Sequence, residues 1–407
     1  MFFMKEKCTK LKYKYINIQN YINNIIGKKK KEDNLENKEE RINNDIKIIK
    51  KERNAGIDLL RILGMYAITI HHLLGHGRLI NKYRHYPQFR FVNILCFWHI
   101  SVYCMISGIV GYKGHKYSNL FYLWFSVFFY SVGITYIYKK FKPKINLYQT
   151  YEFFIPVISK KYWYFTQYFG MYLFLPIINK GISIVNKKEL KIVVLSIILI
   201  FIILKDYFFL NKDPFVFGQG YSVIGMQFFY IIGAYLGKYI IKSNSNCKLS
   251  YIIYIIIYLS SSYTTYYLNM YNGQYAKTKL ISKFKQIFTQ RINSFAMISQ
   301  GISLILLFSQ IKYNKYLSKI ISFFGPLTFG IYLIHNHRYI IELEFPNIFK
   351  KYSTKIPWKT LLNIVLLKGL KIFSVCIIID YFRFLLFKLL RIRPICIFIE
   401  KIINIII

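Results

Sequence analysis

The residues that could do chemistry in this sequence are ionisable side chains inside a segment that is otherwise apolar. The segment is RNAGIDLLRILGMYAITIHHLLGHG (53–77), which carries Asp58, Arg61, His71 and His72. In a helix, Arg61 and His72 lie about 20° apart around the axis and about 16 Å apart along it. His71 is turned about 80° from Arg61 by the same arithmetic. Arg61 and His72 therefore share one face at two depths.

Arg61 and His72 have side chains that suit two different parts of a transfer reaction. A guanidinium group binds phosphate through paired hydrogen bonds, which suits a phosphate-bearing donor. An imidazole with an ordinary pKa near 6.5 can take a proton from a hydroxyl and return it at neutral pH. Asp58, three residues before Arg61, is close enough to pair with it. We take His72 and Asp58 as candidate catalytic residues and Arg61 as a candidate donor-binding residue.

Two other interpretations of these side chains stay open. Arg61 could extend toward lipid headgroups while His72 is an interior histidine with ordinary hydrogen bonds. His72 and His76 could also share a metal ion, but they supply two ligands of the usual four, so we expect no metal site. Inserting an ionisable side chain in a span costs about 2.5–3.5 kcal/mol, which favours a cavity or a partner for each.

The elements that must position these residues are membrane-spanning helices. The chain has 407 residues, of which 55% are hydrophobic, and they are gathered into blocks near the length of a bilayer span. We predict an all-α integral membrane protein, a bundle of about ten transmembrane helices. The predicted spans are 56–76, 91–112, 118–138, 163–182, 190–209, 221–241, 250–268, 292–311, 317–340 and 361–388.

The charge pattern predicts the membrane topology and the partners of the chain. The net charge of +40 is spread over the N-terminal region and the gaps between apolar blocks, which favours contact with the lipid bilayer and excludes nucleic acid. Fifteen Lys and Arg precede the first span, which predicts a cytoplasmic N-terminus of a multi-pass protein. We expect a basic, disordered tail at 1–55, a membrane domain at 56–391 and a short C-terminal tail at 392–407.

Several motifs, in order along the chain, resemble one family. They are Asp58-x-x-Arg61 followed by His72, then FWHISVYCMISGIVGY (97–112), YWYFTQYFGMYLFLPII (162–178), FFGPLTFGIYLIH (323–335) and DYFRFLLFKLLR (380–391). Together they resemble acyltransferase family 3, whose members move acyl groups, commonly acetyl, onto hydroxyls of extracytoplasmic glycans. The resemblance covers residues 56–391 in order.

The resemblance implies the substrates and adds site residues. It implies an acyl-coenzyme A donor, commonly acetyl-coenzyme A, with no permanently bound cofactor, and a glycan or related hydroxyl acceptor. Lys113 and Lys116 stand where the family often has two arginines, and we assign them to donor binding, although they could be ordinary loop lysines. We assign Trp163, Tyr332 and His335 to the acceptor cavity. Trp163 could instead belong to the interfacial aromatic belt.

A transporter or exporter of a glycan or lipid-linked intermediate is the alternative function. Such a protein would share the many helices and the intramembrane charges. It would also tend to show inverted repeats, and the sequence contains none that we can detect. It would carry out no acyl transfer, which separates the two functions by experiment.

Overall fold

The computed structural model describes residues 53–82, 86–142, 150–209, 213, 215–241, 248–270, 285–352 and 355–406. Within these ranges the chain is helical and contains no strand. Asn54–Ile407 forms one compact unit. The predicted tail at 1–55 lies outside the described residues except for its last three positions.

The described α-helices of eight or more residues follow one another in chain order. Their bounds are α1 Ala55–Gly75, α2 Pro87–Cys96, α3 His99–Gly111, α4 Tyr117–Phe141, α5 Trp163–Leu173, α6 Leu175–Ile184, α7 Lys187–Ser196, α8 Val223–Tyr235, α9 Lys248–Met270, α10 Phe295–Gln310, α11 Lys315–Phe324, α12 Thr328–His335, α13 Trp358–Leu389 and α14 Ile392–Ile406. Wider π-helical turns extend α7 over Ile197–Leu204 and α8 over Leu236–Ile240, and Lys205–Phe209 continues α7.

Six helical stretches in the described part of the chain are long and apolar enough to cross a membrane. They are Ala55–Gly75, Pro87–Gly111, Tyr117–Phe141, Val223–Ile240, Lys315–His335 and Trp358–Leu389. The prediction of a helical membrane protein is therefore confirmed, and a total of ten spans stays a prediction. The segment predicted as a C-terminal tail contains α14, which packs against α4.

Two breaks in the helices occur at prolines. Pro176 lies in the first turn of α6, directly after the break that follows α5. Pro326 lies in the tight turn Gly325–Leu327 that separates α11 from α12. Proline has no backbone N–H to donate, so it favours the first turn of a helix over its interior. The turn at Pro326 therefore interrupts the helix inside the predicted span 317–340.

Helix α1 lies in the middle of the helix packing. It contacts α2, α3, α10, α11, α12 and α13. Asn54 fixes its start, since the side-chain oxygen accepts from the Ile57 N–H at 3.1 Å and the amide nitrogen donates to the Ser309 carbonyl at 2.9 Å. Since neighbours surround α1, its ionisable side chains meet protein groups rather than lipid alone.

Candidate active site

A cavity of about 260 Å³ lies beside α1 and contains both Arg61 and His72 in its wall. The lining residues of α1 are Arg61, Met65, Ile68 and His72. Their spacing of four, three and four residues is the stripe of one helix face. The shared face that the sequence predicts for Arg61 and His72 is thus the face that borders the cavity.

Aromatic side chains from the other helices form most of the remaining wall. Helices α3, α5 and α12 supply Tyr103, Trp163, Tyr164, Phe165, Tyr168, Phe329 and Tyr332. Aromatic rings at such positions exclude water, and their hydroxyls and indole N–H can still orient a polar ligand. The cavity is an apolar chamber with few polar groups, as is usual for small-molecule sites.

The cavity has two chemically different ends, because α1 and α3 run antiparallel. At one end, the Tyr103 hydroxyl donates to the Arg61 carbonyl at 2.5 Å, and Ser107 lies one turn further along α3. At the other end, the rings of His71 and His99 have their centroids 5.6 Å apart. We call these the arginine end, at Arg61, and the histidine end, at His72.

A buried carboxylate holds Arg61 in place at the arginine end. The Arg61 Nη1 donates to the Asp58 Oδ1 at 2.8 Å, and Asp58 is buried whereas the Arg61 side chain is 22% exposed. Asp58 does not line the cavity. It lies fourteen residues before His72, a helical rise of about 21 Å. The structure therefore places Asp58 with Arg61 and not with His72.

Histidine rings surround His72 at the other end of the cavity. The ring centroids of His76, His335 and His71 lie 5.2, 5.1 and 5.6 Å from that of His72. His71 is turned to the neighbouring helix, where its Nδ1 is hydrogen-bonded to the Asn93 Oδ1 at 2.7 Å. Across the described residues, no group of three or more His, Cys, Asp or Glu side chains is arranged to hold a metal ion.

A family model described as an acyltransferase domain, that of acyltransferase family 3, matches residues 54–380. The chain belongs to acyltransferase family 3. The match includes every residue that lines the cavity, with Arg61 and His72 at its two ends. No curated protein and no solved structure matches the chain. With its apolar helices, the protein is a membrane acyltransferase.

The residues predicted for the acceptor fall in two places in this acyltransferase. Trp163 and Tyr332 line the cavity, and the Trp163 ring packs on Tyr221 with centroids 4.7 Å apart. His335 is buried and does not line the cavity. Its ring instead packs against that of His72, with centroids 5.1 Å apart.

The two predicted donor lysines do not line the cavity of the acyltransferase. Lys113 lines a separate pocket of about 540 Å³ together with Lys180 and Lys238. Lys116 directly precedes α4, and its backbone N–H and carbonyl both contact the Tyr172 hydroxyl, at 3.3 and 2.8 Å. Both lysines follow the C-terminal end of α3, so they belong to the arginine end of the bundle.

His99 is the one cavity histidine that the sequence analysis did not assign to the site. It lines the cavity, is buried, and has no hydrogen-bond partner for either ring nitrogen within the described chain. It stands inside the segment FWHIS, which the sequence analysis quoted for its resemblance alone. A histidine inside an apolar segment could have marked His99 as a candidate site residue. Its position beside the cavity, however, depends on how α3 packs against α1.

Proposed function

We propose that this acyltransferase moves an acyl group, in the first place acetyl, from acyl-coenzyme A to a hydroxyl of a glycan or related extracytoplasmic acceptor. The observation that carries the proposal is the single cavity bordered by Arg61 and His72. A charged donor needs a cationic group at one end, and the hydroxyl needs a base at the other. The helical rise of about 16 Å between the two residues is close to the length of a pantetheine arm.

The arginine end suits the nucleotide part of the donor. Asp58 orients Arg61, so the guanidinium can bind a phosphate oxygen without a large loss of side-chain entropy. Further cations lie close by, since Pro326 borders both the cavity and a second pocket of about 340 Å³ whose lining includes Lys388 and Arg393. With Lys113 and Lys116 they add positive potential for phosphates at the cytoplasmic side.

The histidine end suits the transfer step. In the direct reaction, His72 removes the proton of the acceptor hydroxyl while the hydroxyl oxygen forms a bond to the thioester carbonyl carbon. The carbon–sulfur bond then breaks, and the proton on His72 passes to the leaving sulfur. In a two-step variant of the reaction, a His72 ring nitrogen first bonds to the thioester carbon, the carbon–sulfur bond breaks, and the ring proton passes to the leaving sulfur. The acceptor oxygen then takes the acyl group, and the hydroxyl proton returns to the ring. Both routes need His72 at the point where donor and acceptor meet.

The acceptor enters, on this proposal, at the extracytoplasmic side beside Trp163 and Tyr332. Both rings border the cavity, and an aromatic face with a polar edge can pack against a sugar ring and orient its hydroxyls. Asp58 has its place in the donor half of the reaction, through Arg61, rather than in proton transfer. The N-terminus is cytoplasmic in this arrangement, so donor and acceptor reach the cavity from opposite sides.

Mass spectrometry of cell-surface glycans tests the proposal directly. Cells that express the intact chain should carry a mass increment of about 42 Da, that of an added acetyl group, and cells with the His72→Ala chain should lack it. The matched measurement is release of free thiol from acetyl-coenzyme A by the purified protein in lipid nanodiscs. A transporter would instead be indicated if cells without the intact chain lose the surface glycan itself rather than its acetyl increment, and if the purified protein releases no thiol.

A further inference from the structure

A second imidazole packs against His72 and does not itself line the cavity. His335 is the last residue of α12 and is 1% exposed. Its ring centroid is 5.1 Å from that of His72, and the ring planes are inclined by 51°. The function proposed above gives His335 no role, so its burial beside the base needs a separate explanation.

The hydrogen bonding of His335 fixes where its proton lies. Its Nδ1 is 2.6 Å from the Ile331 carbonyl oxygen. A carbonyl oxygen only accepts, so Nδ1 must carry the hydrogen. In the neutral ring the other nitrogen, Nε2, then carries a lone pair. This Nε2 is buried and has no hydrogen-bond partner among the residues that the structure describes.

One ring nitrogen of His72 also lacks a hydrogen-bond partner in the described chain. This nitrogen is the Nδ1, which is buried. A buried polar atom left unsatisfied costs about 1–3 kcal/mol. A hydrogen bond from the His72 Nδ1–H to the His335 Nε2 would satisfy both atoms at once. Hydrogen bonds of this kind are often long in the substrate-free enzyme and shorten when substrate binds.

The other histidines beside His72 are less suited to this role. The His71 Nδ1 is already hydrogen-bonded to Asn93, and its ring packs on Phe97 with centroids 5.1 Å apart. His76 follows the end of α1 and is exposed, so water can satisfy its nitrogens. Of these three neighbours, His335 is the one that combines a fixed tautomer with an unused, buried lone pair.

We propose that His335 is a positioning residue whose Nε2 accepts a hydrogen bond from the Nδ1–H of His72. The bond fixes His72 in the tautomer that leaves its Nε2 lone pair for the reacting hydroxyl. In the step itself the His72 Nε2 takes the hydroxyl proton, the oxygen–carbon bond forms, the carbon–sulfur bond breaks, and the proton passes to sulfur. This inference rests on the proposed role of His72 as base.

Substitutions at His335 separate an orienting role from a packing role. His335→Gln places an amide oxygen near the position of Nε2 and should keep acyl transfer within about tenfold of the parent. His335→Leu fills similar space without an acceptor and should lower kcat by about 10² or more, the usual contribution of a general base. The KM for acetyl-coenzyme A should change little in either variant.

His337→Leu is the matched control. His337 is another buried histidine, stacked between Phe153 and Tyr339 with ring centroids 6.3 and 5.8 Å away. It does not line the cavity. The His337→Leu variant should have a folded yield similar to that of His335→Leu, while its kcat stays near the parent value. Equal kcat losses in His335→Leu and His335→Gln would overturn the proposal.

Solid-state ¹⁵N spectra of histidine-labelled protein read the tautomer without any need for activity. The His72 signals are assigned by their loss in His72→Gln. The parent and His335→Gln should show the Nδ1–H tautomer, and His335→Leu should shift toward Nε2–H. An Nε2–H tautomer in the parent, or an unchanged tautomer in His335→Leu, would overturn the proposal. A parent with the expected tautomer but no acyl transfer would instead contradict the proposed function.

Discussion

Replacing Asp380 by asparagine should destabilise the helix bundle by about 3–5 kcal/mol, because it leaves a buried cation without its counter-charge. Asp380 is fully buried in α13 and Arg383 is 6% exposed. The carboxylate accepts from the Arg383 Nε at 2.9 Å and Nη2 at 2.7 Å, and from the Tyr130 hydroxyl at 2.8 Å. Asparagine keeps the shape and one acceptor but removes the negative charge.

The double variant Asp380→Asn, Arg383→Gln measures how far the two residues depend on each other. It removes both charges, so it should cost less than the sum of the two single variants. Residues in one hydrogen-bonded pair usually show a coupling free energy of about 0.5–3 kcal/mol. The surroundings leave little room to adjust, since a Cβ at Gly330 would lie 1.8 Å from the Asp380 Oδ1.

Denaturant unfolding of the purified protein in detergent micelles, followed by tryptophan fluorescence, gives the free energies of unfolding. Glu344→Gln is the matched control, because Glu344 pairs with Lys142 at 2.8 Å while both side chains are nearly half exposed. An exposed pair contributes about 0–1 kcal/mol. If Asp380→Asn costs no more than Glu344→Gln, or if the double variant equals the sum of the singles, the reasoning about the buried pair is refuted.

Three further variants test the donor end and the helix packing. Arg61→Ala should weaken acetyl-coenzyme A binding by about 1.5–3 kcal/mol, roughly 10- to 150-fold, and equal binding of labelled donor by parent and variant would contradict its role. The double variant Lys113→Ala, Lys116→Ala should keep part of the transfer activity, since neither lysine lines the cavity, and complete inactivity with normal membrane insertion would show that they matter more. Gly108→Ala should lower the melting temperature because its Cβ would lie 2.0 Å from the Tyr230 carbonyl oxygen. Gly133→Ala should leave the melting temperature unchanged, because a Cβ there meets nothing within 4 Å. Equal melting temperatures for the two variants would contradict the close approach of α3 and α8.

Much of the fold could be predicted from the sequence because long apolar runs leave few alternatives to helices in lipid. Each predicted span overlaps a helix in the structure. Two of the breaks lie at prolines, Pro176 and Pro326. The break at Phe97–Trp98 between α2 and α3 contains no proline, and both of these helices pack against α1.

Some residues of the site could be predicted from the sequence of one helix, and others depend on how the helices pack. Arg61 and His72 belong to one helix, so helical geometry alone places them on one face. His99 and Tyr103 reach the cavity from α3, and a single sequence carries no record of which helices become neighbours. The same limit explains why His335, predicted at the acceptor cavity, packs against the His72 ring without lining the cavity.

The transfer rates of His72→Ala and His71→Ala test the central claim most directly. His72 borders the cavity, whereas its neighbour His71 does not line it and is hydrogen-bonded to Asn93. Both variants must first reach the membrane at parental levels, because a destabilised bundle would imitate a catalytic defect. The account predicts that His72→Ala loses about 10² or more of the acyl transfer rate and that His71→Ala keeps most of it. An inactive His71→Ala beside an active His72→Ala would contradict the assignment of His72 as the base.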